Sequence, residues 1–109
     1  MPAYWVAAHK ITDPAKFEEY RTKVGPMIAR HGGRYLTKGG SHKIMEKGFK
    51  IASPDSSGRT VHWDPERVVV IQFPDMDSLN AWYRSPEYQP LIKLRVESAL
   101  DMLLVLEGA

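Results

Sequence analysis

Arg67-Val68-Val69-Val70-Ile71-Gln72-Phe73-Pro74 carries four consecutive β-branched residues and stops at a proline. That composition reads as a β-strand. A strand of an antiparallel sheet with one wet face alternates apolar and polar side chains. This stretch does not. Two further runs share the property: Ala3 to Ile11 near the start, and Met102-Leu103-Leu104-Val105-Leu106 near the end. A shorter run, Arg34-Tyr35-Leu36-Thr37, makes a fourth strand. The helical segments between them suffice to cover one sheet face. The other face needs a cover too, and a second copy of the chain supplies one most simply. The reading predicts a homodimer through that face, with Trp5 or Tyr4, Val69 or Val70, and members of the run Met102 to Leu106 at or near the interface.

Working outward, Thr12-Asp13-Pro14 marks a helix start. Asp13 can accept from free N–H groups of the first turn, and Pro14 fits the next position because its missing N–H would be unpaired there. Phe17, Tyr20, Val24, Met27, Ile28 and His31 form one stripe at helical spacing, and Gly32-Gly33 ends the helix. Pro26 lies inside it and predicts a kink near Thr22. The second strand is interrupted at Gly39-Gly40 and is expected to resume through His42-Lys43-Ile44-Met45. Phe49 to Ala52 and Thr60 to Trp63 alternate around a turn-forming Ser53 to Arg59, which predicts an accessory hairpin over about 49–62. Asp75 caps a helix from Met76 to Arg84. Ser85-Pro86-Glu87 reads as a further helix start, running to about Val96.

The order is β-α-β-β-α-β with the second crossover helix broken in two. Right-handed crossovers turn that order into a four-stranded antiparallel sheet with helices on one face, an α+β, ferredoxin-like layer. The chain is 109 residues long, which suits a single domain with one core. It contains no cysteine, which excludes a disulfide, a thiolate nucleophile and a cysteine-based metal site. No apolar run reaches the roughly 18 residues of a membrane span, and no secretory leader is apparent, so a cytoplasmic address and no membrane partner are expected. Charge is uneven: residues 1–60 carry a net +6 and residues 61–109 a net −4. The basic residues are scattered and do not interleave with aromatics on one element, so no nucleic-acid partner is expected.

The segments Asp13-Pro14, His31-Gly32-Gly33-Arg34-Tyr35-Leu36, Arg67 to Pro74, Trp82-Tyr83-Arg84-Ser85-Pro86-Glu87-Tyr88, and Arg95 with Ser98-Ala99 together resemble the DUF1330 family of the dimeric α/β-barrel superfamily. The resemblance covers nearly the whole chain and departs at about Phe49 to His62, which looks like an insertion. It implies the fold and a dimer. It implies no reaction, since wider relatives include cofactor-free monooxygenases, isomerases, dehalogenases and haem enzymes.

Candidate chemistry centres on His31, Tyr35, Trp82, Tyr88 and Arg95. His31, on the apolar stripe, is the candidate general acid or base in a pocket between helix and sheet. Its structural alternative is a histidine bonded to the last helix carbonyls. Trp82 and Tyr88 would wall a small apolar pocket, with Tyr35 and Arg95 as polar contacts; alternatively Trp82 anchors the core. His9 reads as an exposed histidine near a strand end. The four histidines show no metal-binding spacing, so no metal is expected. Gly39-Gly40 lacks the rest of a phosphate loop, and no cofactor is expected. Two functional classes remain: a small-molecule enzyme or binder with its pocket between helices and sheet, and a non-catalytic dimeric module whose inserted hairpin meets a partner.

Overall fold

In the computed structural model, residues 1–109 are described. Strand β1 (Ala3–Ile11) leads into helix α1 (Pro14–Arg30) and strand β2 (Arg34–Lys38). The hairpin of β3 (Lys50–Ala52) and β4 (Thr60–His62) follows, then β5 (Arg67–Phe73). Helices α2 (Met76–Tyr83) and α3 (Gln89–Ser98) return the chain to β6 (Ala99–Glu107). The main sheet has the order β2-β5-β1-β6, and all its pairings are antiparallel. This is the ferredoxin-like α+β arrangement, and the helices lie on one face.

Register decides what each face holds. Trp5 pairs with Ile71 on one side and Val105 on the other; His9 pairs with Arg67 and Asp101. Side chains alternate along a strand, so Ala3, Trp5, Ala7, His9, Ile71 and Phe73 share the helix-covered face, where all are buried. Tyr4, Val6, Val70, Met102, Leu104 and Leu106 share the other. There Met102, Leu104 and Leu106 are 41%, 53% and 45% exposed. Of the residues expected on the free face, Tyr4 and Val70 are there, whereas Trp5 and Val69 point toward the helices.

Helix α1 begins as its sequence requires: Asp13 Oδ1 accepts from the Lys16 N–H at 3.2 Å. Phe17, Tyr20, Val24 and Ile28 are its buried stripe. The helix runs unbroken through Pro26. Pro26 and Thr22 are both exposed, so the Thr22 carbonyl that loses its donor can turn to water. Gly32, at φ 80°, makes the left-handed stop. A Cβ on Gly33 would collide with Ile28 and Phe73.

Three expectations need correction. The second strand does not resume through His42–Met45; residues 39–49 form no regular element. Gly39, at φ 84°, turns the chain away, and β2 pairs with β5 only over Arg34–Lys38, around a bulge at Leu36. Nor does a helix start at Ser85. Ser85 instead closes a turn, its Oγ donating to the Trp82 carbonyl at 2.8 Å and accepting from the Tyr88 N–H at 3.2 Å. Helix α3 starts after that turn, with Pro90 in its first turn. His9 is not exposed but 4% accessible.

The hairpin forms as expected, closed by Ser53 N–H donating to the Arg59 carbonyl at 2.9 Å. Its Phe49, Ile51, Ala52 and Trp63 wall a shallow depression with Leu100 and Met102 of β6. Trp63 is therefore half-buried beside the chain's own sheet.

Candidate functional site

Between α1 and the covered sheet face lies a cavity of about 130 Å³. Its walls are Trp5, Phe17, Val24, Ile28, Ile71 and Trp82, with Tyr20 and Tyr35 adding rings that end in hydroxyls. Arg21, Lys38 and Arg67 also line it, and no acidic residue does. Arg21 is paired with the exposed Glu18 at 2.5 Å; that hydrogen bond, with a smaller contribution from Arg67, holds Glu18 below the usual carboxylate range. Lys38 and Arg67 have no carboxylate partner and lie instead over the rings of Tyr35 and Phe17, at 5.0 and 5.7 Å. A Cβ on Gly39 would collide with the Arg67 side chain, so glycine there leaves Arg67 its position. Gly25 is a wall residue of α1, and a Cβ built on it would have nothing within 4 Å.

His9 lines this cavity too. Its Nδ1 is 2.5 Å from Asp101 Oδ1, and Arg95 Nη1 donates to Asp101 Oδ2 at 2.8 Å. All three side chains are at most 7% exposed. A charge buried this deeply persists only when paired and hydrogen-bonded, and Asp101 has a partner on each oxygen. Burial works against the Arg95 charge, but Tyr88, Tyr20 and Asp101 together hold the guanidinium above arginine's ordinary value. His9 also meets the Phe17 ring at 4.9 Å.

A second polar link runs beside the first. The Tyr20 and Tyr88 hydroxyls are 2.8 Å apart and buried. Burial pushes the Tyr20 phenol well above the usual range, and Tyr88 adds to that effect. Tyr88 is raised chiefly by burial, as is Tyr35. Tyr88 also packs on Trp82 at 4.5 Å between ring centroids.

The sequence candidates separate accordingly. Tyr35 and Trp82 line the cavity. Arg95 and Tyr88 stand behind it, in the buried network. The break between α2 and α3 is filled by Trp82 and Tyr88, each 0% exposed. His31 is not brought to the cavity. It caps α1, and its Nδ1 bonds the Met27 carbonyl at 2.9 Å. It lies about one turn beyond Ile28, the last residue of α1 in the cavity wall. Helix geometry places it on the apolar stripe, but the cap takes its ring. The histidine in the cavity is His9, and its partner is Asp101. The alternation Ala3, Trp5, Ala7, His9 carried the signal for the first. No sequence signal locates the second, because the β1–β6 register cannot be read from either strand alone.

No three His, Cys, Asp or Glu side chains gather in a way that could hold a metal ion, and no helix is long and apolar enough to cross a membrane.

Solved structures share this architecture. A protein of unknown function from Rhodopseudomonas palustris is 15% identical, with a TM-score of 0.74 over 99% of this chain and 82% of the other. A dimeric ferredoxin-like protein of unknown function from Jannaschia sp. CCS1 is 14% identical, with a TM-score of 0.63 over 99% and 100%. SnoaB, a cofactor-independent oxygenase from Streptomyces nogalater, is 13% identical, with a TM-score of 0.59 over 99% and 93%. These likenesses establish the fold. Among curated proteins, none matches the sequence. The family model for a domain of unknown function, DUF1330, matches residues 2–109, and the chain belongs to that family.

Proposed function

We propose that this protein is a homodimer joined through the helix-free sheet face, and that each subunit binds and transforms a small organic molecule in the cavity between α1 and the sheet. The observation that carries the reading is the cavity itself. It is walled by aromatics, reaches a buried histidine–aspartate pair, and has a size suited to one small compound. Interiors are otherwise close-packed, so an opening of this volume beside polar groups calls for an occupant. The dimer is supported by the row of exposed apolar side chains on β6 and by the dimeric relative of the same fold. That a cofactor-independent oxygenase shares the fold indicates that such a scaffold can carry small-molecule chemistry.

The test is a screen of one- and two-ring compounds against the isotopically labelled protein, reading the indole N–H signals of Trp5 and Trp82. The expected result is a compound that shifts both saturably. If the whole panel leaves them unmoved while the protein is folded, the ligand reading falls. The non-catalytic module would then stand, because Phe49 on the inserted hairpin is 61% exposed and available to a partner.

A further inference from the structure

We infer that the cavity takes a single-ring organic anion, and that His9 Nε2, held in position by Asp101, exchanges a proton with it. The inference rests on the cavity being a ligand site and adds the chemical class of the ligand and the residue that acts on it.

Size gives the ring. A dry apolar cavity of about 150 Å³ accommodates one benzene, and this one is about 130 Å³. Trp5, Phe17 and Trp82 offer faces and edges to a flat ring. Charge gives the sign. The lining holds Arg21, Lys38 and Arg67 and no acid. Glu18 already occupies Arg21, whereas Lys38 and Arg67 have no carboxylate partner. A ligand carboxylate or oxyanion is the group these two cations lack.

His9 supplies the chemistry. Asp101 accepts from Arg95 on one oxygen and faces His9 Nδ1 on the other. An ionised carboxylate can only accept, so Nδ1 carries a proton, and in the neutral imidazole the lone pair is then on Nε2. Nε2 makes no hydrogen bond within the protein, and His9 lines the cavity. Nε2 can take a proton from a ligand O–H or acidic C–H. The bonding pair then stays on the ligand as an oxyanion or enolate facing Arg67 and Lys38. The imidazolium, protonated on both nitrogens, faces the Asp101 carboxylate. Return of the proton to the same or an adjacent ligand atom restores His9, so the step needs no oxidant or other reactant. Asp101 is the positioning residue and His9 the catalytic one.

Two measurements on the intact protein decide the matter. Benzoate, the isosteric neutral benzamide and the cationic benzylamine are titrated in turn, reading the Trp5 and Trp82 indole signals. Benzoate should bind at least about tenfold tighter than benzamide, and Lys38→Gln with Arg67→Gln should remove the preference. Benzamide or benzylamine binding as well as benzoate overturns the anion assignment while leaving the cavity a ligand site. Failure of all three probes to bind, in a cavity that accepts another compound of the screen, overturns it as well. A cavity that accepts nothing overturns the ligand reading itself.

Proton exchange is read with 4-nitrophenol, whose phenolate is coloured, and by nitrogen NMR of His9. Free His9 should be the Nδ1–H tautomer. On binding, the phenolate fraction should rise at fixed pH while Nε2 gains a proton. His9→Gln should retain binding and lose the extra phenolate. An Nε2–H tautomer in the free protein, or an Nε2 signal unmoved by bound ligand, refutes the proton role. Both readouts use the unmutated chain and stand even if His9→Gln does not fold.

Discussion

Leu104→Asp should convert a dimer into a folded monomer. Leu104 projects from β6 on the helix-free face, with Val6 opposite it across the strand pair, and is 53% exposed in the isolated subunit. Fully burying a leucine side chain is worth about 1.5–3 kcal/mol. Half of that remains to be gained on association, or about 1 kcal/mol per copy and about 2 kcal/mol per dimer. Leu104→Ala forfeits most of this, a loss of roughly 30-fold in dimer affinity at about 1.4 kcal/mol per decade. Aspartate adds the desolvation of two unpaired carboxylates, at several kcal/mol each if they stay ionised. The combined effect exceeds about 5 kcal/mol, more than three decades in Kd. Sedimentation velocity from about 1 to 100 µM reads it directly, that range bracketing affinities of about −7 kcal/mol. Far-ultraviolet circular dichroism and the emission of Trp5 and Trp82, on the opposite face, should stay native. A Leu104→Asp protein that sediments like the unmutated dimer, or an unmutated chain that is monomeric at 100 µM, refutes the interface.

Alkaline stability should follow the buried phenols. Tyr20, Tyr35 and Tyr88 have native pKa values raised by burial, so their stabilising effect is complete below the unfolded value of about 10 and is lost as pH rises past it. Thermal melts should fall steeply above that point, and absorbance titration should show these three ionising late or on unfolding; full ionisation of all five tyrosines in the native state near pH 10 would contradict the buried network. Arg95→Met leaves Asp101 buried without its cation and should cost about 3–5 kcal/mol in urea unfolding, whereas Arg95→Met with Asp101→Leu should cost less; equal losses would mean the pair is not coupled. His31→Gln should leave benzoate affinity within about twofold, a change of about 0.4 kcal/mol, since its ring serves a helix cap; a tenfold loss would return His31 to the site.

The sheet was legible because strands apolar on both faces admit few explanations, and because Asp13-Pro14 and Asp75 cap their helices through local geometry alone. Local chemistry also misled. Ser85-Pro86-Glu87 has the residues of a helix start, yet the Tyr88 ring must enter the core against Trp82, and the turn that delivers it delays the helix. The aromatic and polar residues grouped as pocket candidates included Tyr35 and Trp82, which line the cavity. The helical stripe pointed to His31, while His9, near a strand end, read as exposed; yet it is His9 that lines the cavity. The choice depends on a strand register and on a cap, and neither is encoded in one element. Asp101 stands alone among apolar residues at the start of β6, and only its neighbour across the sheet gives it meaning.

Gly25 sets an unusual balance in α1. A glycine inside a helix weakens it by about 0.5–1 kcal/mol relative to alanine, and nothing stands where a Cβ would go. The chain therefore forgoes stability that one methyl group would restore without a clash. What it keeps is room, since Gly25 is part of the cavity wall. Under the proposed function, capacity and chemistry reside in different places: width on one helical position, proton handling on two strands and α3. A descendant of this chain could change the width of this cavity at a single codon while His9 and Asp101 stay untouched. Selection for robustness alone would push the other way, and would narrow the chamber as it strengthened the helix.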